Sequence, residues 1–99
     1  MAVKTIAFDA AKYLKSERAQ IELISDALRT GNAGYIAAAI GTVARARGMT
    51  ELAKETGLKR QSLYKALSEK GDPQLTTLLG VFNAMGLELR VKARARTTA

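Results

Sequence analysis

Ninety-nine residues make one small domain with a single core and leave no room for a second ordinary domain or a large catalytic cleft. Hydrophobic residues are 47% of the chain, but eighteen of them are alanine and only five residues are aromatic, so the expected core is thin, helical and closely packed, with burial left for a partner subunit to supply. The chain has no Cys and no His, which removes thiol nucleophiles, disulfides, the usual general base and the commonest metal ligands; no carboxylate pair stands out either, so no catalytic, cofactor or metal site is expected.

Sixteen Lys and Arg against nine Asp and Glu give +7, a balance that favours polyanions, nucleic acid first among them. No apolar run approaches the roughly 20 residues that cross a bilayer. The opening Met1–Thr5 lacks the long apolar stretch of a signal peptide, so a cytoplasmic protein with no membrane partner is expected.

In chain order, residues 1–15 read as an arm bearing Phe8, Tyr13 and Leu14, with Asp9 placed to cap a short helix over Ala10–Lys15. From Ser16 or Glu17 to Thr30, Ile21, Ile24, Ala27 and Leu28 recur at helical spacing and predict a buried face, with Gly31 as the stop. Ala33 to Arg47 repeats the pattern with Tyr35, Ile36, Ile40, Val43 and Ala44, and ends at Gly48. Thr50 is placed as an N-cap for Glu51–Thr56, and Gly57 turns the chain. Arg60–Ser68 follows, with Leu63, Ala66 and Leu67 inward; Gly71, Asp72 and Pro73 break the chain. Leu75, Leu78, Leu79 and Phe82 share a face of a helix that ends by Gly86. Only Leu87, Leu89 and Val91 alternate with charged residues as in a strand, and such a strand needs a partner, either its own domain or its twin in a second chain. The predicted organisation is an arm over 1–15, one helical domain over 16–92 and a basic tail over 93–99.

The stretch Thr50–Leu67 carries the functional signal. Two short helices are joined at Gly57, where a positive φ costs glycine little; Ala53 permits a close crossing, and Leu52, Leu58, Leu63 and Leu67 fill the wedge between them. This is the logic of a helix-turn-helix, whose second helix enters the DNA major groove by its N-terminal end. Lys59, Arg60, Gln61, Ser62 and Lys65 cluster on that second helix. Arg60 and Gln61 suit guanine and adenine edges, Lys and Ser suit phosphates or bases, Thr50 suits a backbone phosphate, and Tyr64 either packs on the neighbouring helix or reaches a phosphate.

FDAAKYL at Phe8–Leu14, IAAAIGTVARARGMTELAKETGL at Ile36–Leu58 and RQSLYKALSEKGDPQLTTLLGVFNAMGL at Arg60–Leu87 resemble, in order and spacing, the antidote or antitoxin proteins of bacterial addiction modules. The resemblance covers nearly the whole chain and is to HigA-like members with a lambda-repressor-like helix-turn-helix. It implies a mainly α fold: a helix-turn-helix bundle with additional N-terminal helices and a short C-terminal β-strand. It also implies a homodimer that binds double-stranded operator DNA at its own promoter and neutralises a co-encoded small toxin of the RelE/ParE type. By position it carries DNA reading to Arg60, Gln61, Ser62 and Lys65, with Thr50 near the backbone. Lys59 departs from the pattern, because many relatives place a capping Ser or Thr there and Lys cannot accept the cap's hydrogen bond.

Two further surfaces are expected. Phe8, Tyr13, Leu14 and Ile21, on the arm and the first long helix, form an apolar patch away from the recognition helix and are assigned to the toxin, the alternative being that they fold back onto their own core. Leu87, Leu89 and Val91 are assigned to dimerisation, with pairing through the long helices as the alternative, since two helix-turn-helix units on a twofold axis reach half-sites roughly 34 Å apart. The nearest alternative is a stand-alone transcriptional repressor without a toxin. A sequence-blind chromatin protein would bind random DNA almost as well as its promoter. An enzyme is the least expected class.

Overall fold

The protein's structure, a computed structural model, describes residues 15–95, in which five helices follow one another: α1 (Glu17–Thr30), α2 (Ala33–Arg47), α3 (Met49–Thr56), α4 (Arg60–Ala66) and α5 (Leu75–Ala84). The expected arm, with Phe8, Tyr13 and Leu14, lies outside the described residues except for Lys15; of the expected tail, residues 93–95 are described.

Side-chain caps open the first two helices. Ser16 Oγ accepts from the Ala19 N–H at 3.1 Å, and Asn32 Oδ1 accepts from the Tyr35 N–H at 2.9 Å, each satisfying a donor that the first helical turn leaves unpaired. Between them Gly31, at φ 68°, ends α1 in the left-handed conformation that other residues adopt at a cost. The α3 start differs from the expectation. Gly48 is the N-cap, without a side-chain cap bond, and Thr50 lies inside the first turn. Met49 is buried in the core, and burying it as the first helical residue starts the helix ahead of the polar residue that local capping would choose.

The helix α4 ends at Ala66 and not at Ser68. The returning chain stops it: a Cβ on Gly71 would lie 2.2 Å from the Ala66 carbonyl oxygen, so only glycine fits where the loop folds back over the last turn.

The core gathers Ile24 from α1, Ile40, Val43 and Ala44 from α2, Met49 and Leu52 from α3, Leu63 and Leu67 from α4 and its cap, and Val81, Phe82 and Met85 from α5 and its end. Burial of each larger aliphatic side chain contributes about 1.5–3 kcal/mol. α1 packs on α2, α2 reaches α3 and α4, and α3 meets both α4 and α5.

Three apolar expectations are corrected here. The buried face of α5 is Leu78, Val81 and Phe82, whereas Leu75 and Leu79 are exposed, because α5 meets α3 on the side one residue round from the leucine stripe. On α1, Ile24 and Ala27 are buried with Ala19 and Gln20, while Ile21 and Leu28 at the edges of the predicted face stay exposed. Tyr35 of α2 and Leu58 in the turn are likewise exposed.

A polar clamp closes the same layer. Arg47, in the last turn of α2, donates through Nε to Gln20 Oε1 at 2.8 Å and through Nη1 to the Met85 carbonyl at 2.6 Å, and its Nη2 lies 3.7 Å from Glu17 Oε2. One guanidinium therefore ties α1, α2 and the end of α5. Gln20 is 4% exposed, so these bonds supply partners to a buried polar side chain.

The C-terminal segment leaves α5 through a Schellman motif: the Leu87 N–H donates to the Phe82 carbonyl at 2.9 Å and the Gly86 N–H to that of Asn83 at 3.0 Å, with Gly86 at φ 72°. The strand expected over 87–92 is not formed among the described residues. No second strand stands beside it, and a ladder requires one.

Candidate functional site

The turn between α3 and α4 is built as the glycine predicted. Gly57, at φ 78°, ψ 7°, donates its N–H to the Ala53 carbonyl at 3.0 Å. Thr56, which sequence reasoning passed over, secures it. Its Oγ1 donates to the Leu52 carbonyl at 2.7 Å and accepts from the Leu58 N–H at 3.2 Å, the local bonding through which threonine stabilises turns. The chain is extended at Lys59 (φ −74°, ψ 144°) and α4 begins at Arg60. Lys59 is its N-cap without a side-chain cap bond, as the lysine's lack of an acceptor requires.

Leu63 and Leu67, 0% and 1% exposed, anchor α4 and so fix which way its other faces point. Lys59, Arg60, Gln61, Ser62, Tyr64 and Lys65 are all exposed and form one continuous surface around the start of the helix. Among the described residues, no hydrogen bond or ion pair engages the side chains of Lys59, Gln61, Ser62 or Lys65. Arg60 is the exception in having a partner: its guanidinium carbon lies 5.7 Å from the centroid of the Tyr64 ring, one turn along, within cation–π reach. The sequence allows Tyr64 either packing on the neighbouring helix or phosphate contact. The structure sets it beneath Arg60. Thr50 is exposed too, but stands on α3, the other helix of the pair.

A second surface lies on the far edge of α1. Ile21, Ile24 and Leu28 from α1 and Phe82, Leu87 and Leu89 from α5 and the segment after it line an open apolar groove of about 500 Å³, rimmed by Glu17, Glu88 and Arg90. Ile21 is the described member of the expected toxin patch. Leu28 joins it here, although helical spacing alone assigned it to the core. Leu87 and Leu89 form the opposite wall, and Val91, the third member of the expected dimer set, lies beyond it at 99% exposed. No helix among the described residues is long and apolar enough to cross a membrane.

A protein of Haemophilus influenzae (strain Rd), described only as uncharacterized, is 40% identical over 86 residues, which is 86% of this chain and 88% of that one. No solved structure matches the chain. Over residues 4–93 the chain matches the family described as probable addiction module antidote protein. That match covers the turn, the cationic surface of α4 and the groove together, and an antidote implies a toxin as partner. On that match, the chain belongs to the probable addiction module antidote family.

Proposed function

We propose that this antidote is a homodimer that binds double-stranded operator DNA at its own promoter and neutralises a co-encoded small toxin of the RelE/ParE type. The observation that carries the DNA limb is the α4 surface, where cationic and amide side chains are held outward by two fully buried leucines. In this reading α3, the Gly57 turn and α4 form a lambda-repressor-like helix-turn-helix. Arg60 and Gln61 meet base edges, with the Tyr64 ring supporting Arg60, Ser62 and Lys65 meet bases or phosphates, and Lys59 and Thr50 lie along the DNA backbone.

The toxin limb is assigned to Ile21 on the α1 edge together with the arm residues Phe8, Tyr13 and Leu14. The dimer is assigned to Leu87, Leu89 and Val91, which also supply the pairing that residues 87–92 lack in one chain. Catalysis has no place in this account; the protein acts by binding, in the cytoplasm.

Two measurements test it. Anisotropy titrations of a promoter fragment against random duplex at fixed salt are expected to show discrimination of about a thousandfold or more, and equal affinity overturns operator recognition. Co-expression with the product of the adjacent reading frame is expected to rescue growth and to co-purify the pair. Removal of residues 1–15 abolishes that rescue and leaves promoter binding largely intact; unchanged rescue discards the arm.

A further inference from the structure

The segment after α5 is complementary to itself in both charge and hydropathy. Residues 87–91 read Leu-Glu-Leu-Arg-Val. Arg90 Nε donates to Glu88 Oε2 at 2.6 Å, two residues apart on one side of the chain and both exposed to water. Leu87 and Leu89 alternate with them and line the groove on α1, while Val91, next in the same alternation, touches almost nothing. Side chains two apart on a shared side are the period of extended backbone, and no described residue offers this backbone a ladder.

We infer that this segment pairs antiparallel with the same segment of a second copy, with Leu89 on the twofold axis. This deepens the dimer of the proposed function and rests on it. The register sets Leu89 opposite the partner's Leu89, Leu87 opposite the partner's Val91 and Glu88 opposite the partner's Arg90. Apolar residues then meet apolar residues and each carboxylate meets a guanidinium, both favourable cross-strand pairs. The neighbouring registers lack this property. An axis on Glu88 or on Arg90 sets that charge opposite its own copy. An axis between two residues sets leucine opposite a charge and turns the apolar face of one strand against the polar face of the other. The pairing is isologous and closes at two chains, and it gives the exposed Val91 an apolar neighbour.

The chain has no cysteine, so single introduced cysteines report the register cleanly. Directly opposite Cα atoms in an antiparallel pair stand about 4.5–5.5 Å apart, within disulfide range. Under mild oxidation Leu89→Cys is expected to cross-link to its own copy. Val91→Cys alone is not, since its copy is displaced by four residues, about 13 Å. A mixture of Leu87→Cys and Val91→Cys chains cross-links.

Charge exchange gives an independent reading by sedimentation of the full chain without DNA. Glu88→Arg and Arg90→Glu each weaken self-association by about tenfold or more, because each sets like charges opposite one another twice. Mixed together, the two variants form a heterodimer in which every pair is again opposite in sign, and the double variant E88R/R90E forms a homodimer. A wild-type chain that stays monomeric at all concentrations overturns the dimer itself. A wild-type dimer in which Leu89→Cys fails to cross-link, or in which mixing restores nothing, overturns this register and leaves the dimer reading standing.

Discussion

Gly41 and the Leu67 carbonyl are in backbone contact: a Cβ on Gly41 would lie 2.0 Å from that oxygen. Two turns earlier on the same face of α2, a Cβ on Gly34 would lie 2.6 Å from the Glu69 carbonyl oxygen. The end of α4 is therefore seated on a glycine track of α2, which sets the height at which the cationic surface stands above the core. Gly41→Ala is expected to destabilise the protein by about 2 kcal/mol, lowering Tm by roughly 10 °C. Gly80, within α5, has no atom within 4 Å of its would-be Cβ, so Gly80→Ala stabilises by up to about 1 kcal/mol. Thermal melts of the two variants, opposite in sign, check the contrast.

Removing the Arg47 clamp costs more than its partly exposed position suggests. Arg47→Ala deletes bonds to Gln20 and to the Met85 carbonyl and is expected to cost about 1.5–3 kcal/mol in urea denaturation. Arg47→Lys recovers little of it, because one ammonium cannot reproduce the guanidinium's planar, divergent donors.

On the proposed DNA surface, the two cationic positions of α4 are expected to differ in kind. Arg60→Ala is expected to lose about 1–3 kcal/mol of operator affinity and to relax preference at one base pair; Lys65→Ala weakens all duplexes alike and lowers the salt slope by about 1. Titrations of operator and random duplex at several salt concentrations separate the two. Equal behaviour of the variants contradicts the assignment of Arg60 to bases.

Tyr64 holds Arg60 through its ring and not its hydroxyl. Tyr64→Ala is expected to cost about 0.5–1 kcal/mol of operator affinity, a twofold to fivefold loss, while Tyr64→Phe retains it. In an Arg60→Ala background the Tyr64→Ala change then has no further effect. A loss for Phe equal to that for Ala instead assigns the hydroxyl to a phosphate.

The groove on α1 is tested by charge. Ile21→Asp with Leu28→Asp alters two exposed side chains, so the cost in stability stays below about 1 kcal/mol. Co-purification with the toxin is expected to be lost and promoter affinity retained. Retained co-purification moves the toxin surface elsewhere.

How far the sequence was legible follows from how local each signal is. The ends of α1 and α2, the turn at Gly57 and the uncapped start of α4 at Lys59 are decided within a few residues, by glycine at positive φ and by which side chains accept a hydrogen bond, so they can be read directly. The outward display of Arg60, Gln61, Ser62 and Lys65 follows from Leu63 and Leu67 being the apolar pair on a short helix.

Tertiary contacts decided the rest. Helical spacing marks Leu75, Leu79, Ile21 and Leu28 as apolar, but only the angle at which α5 meets α3 and α1 meets α2 determines that they stay in water while Val81 and Gln20 go inside. Thr50 lost the cap position because Met49 entered the core, and the Gly41 contact with Leu67 joins residues 26 apart in a chain whose local pattern gives glycine no partner. Local hydrogen-bond chemistry is written in neighbouring residues. Burial depends on what the remainder of the chain brings against each face.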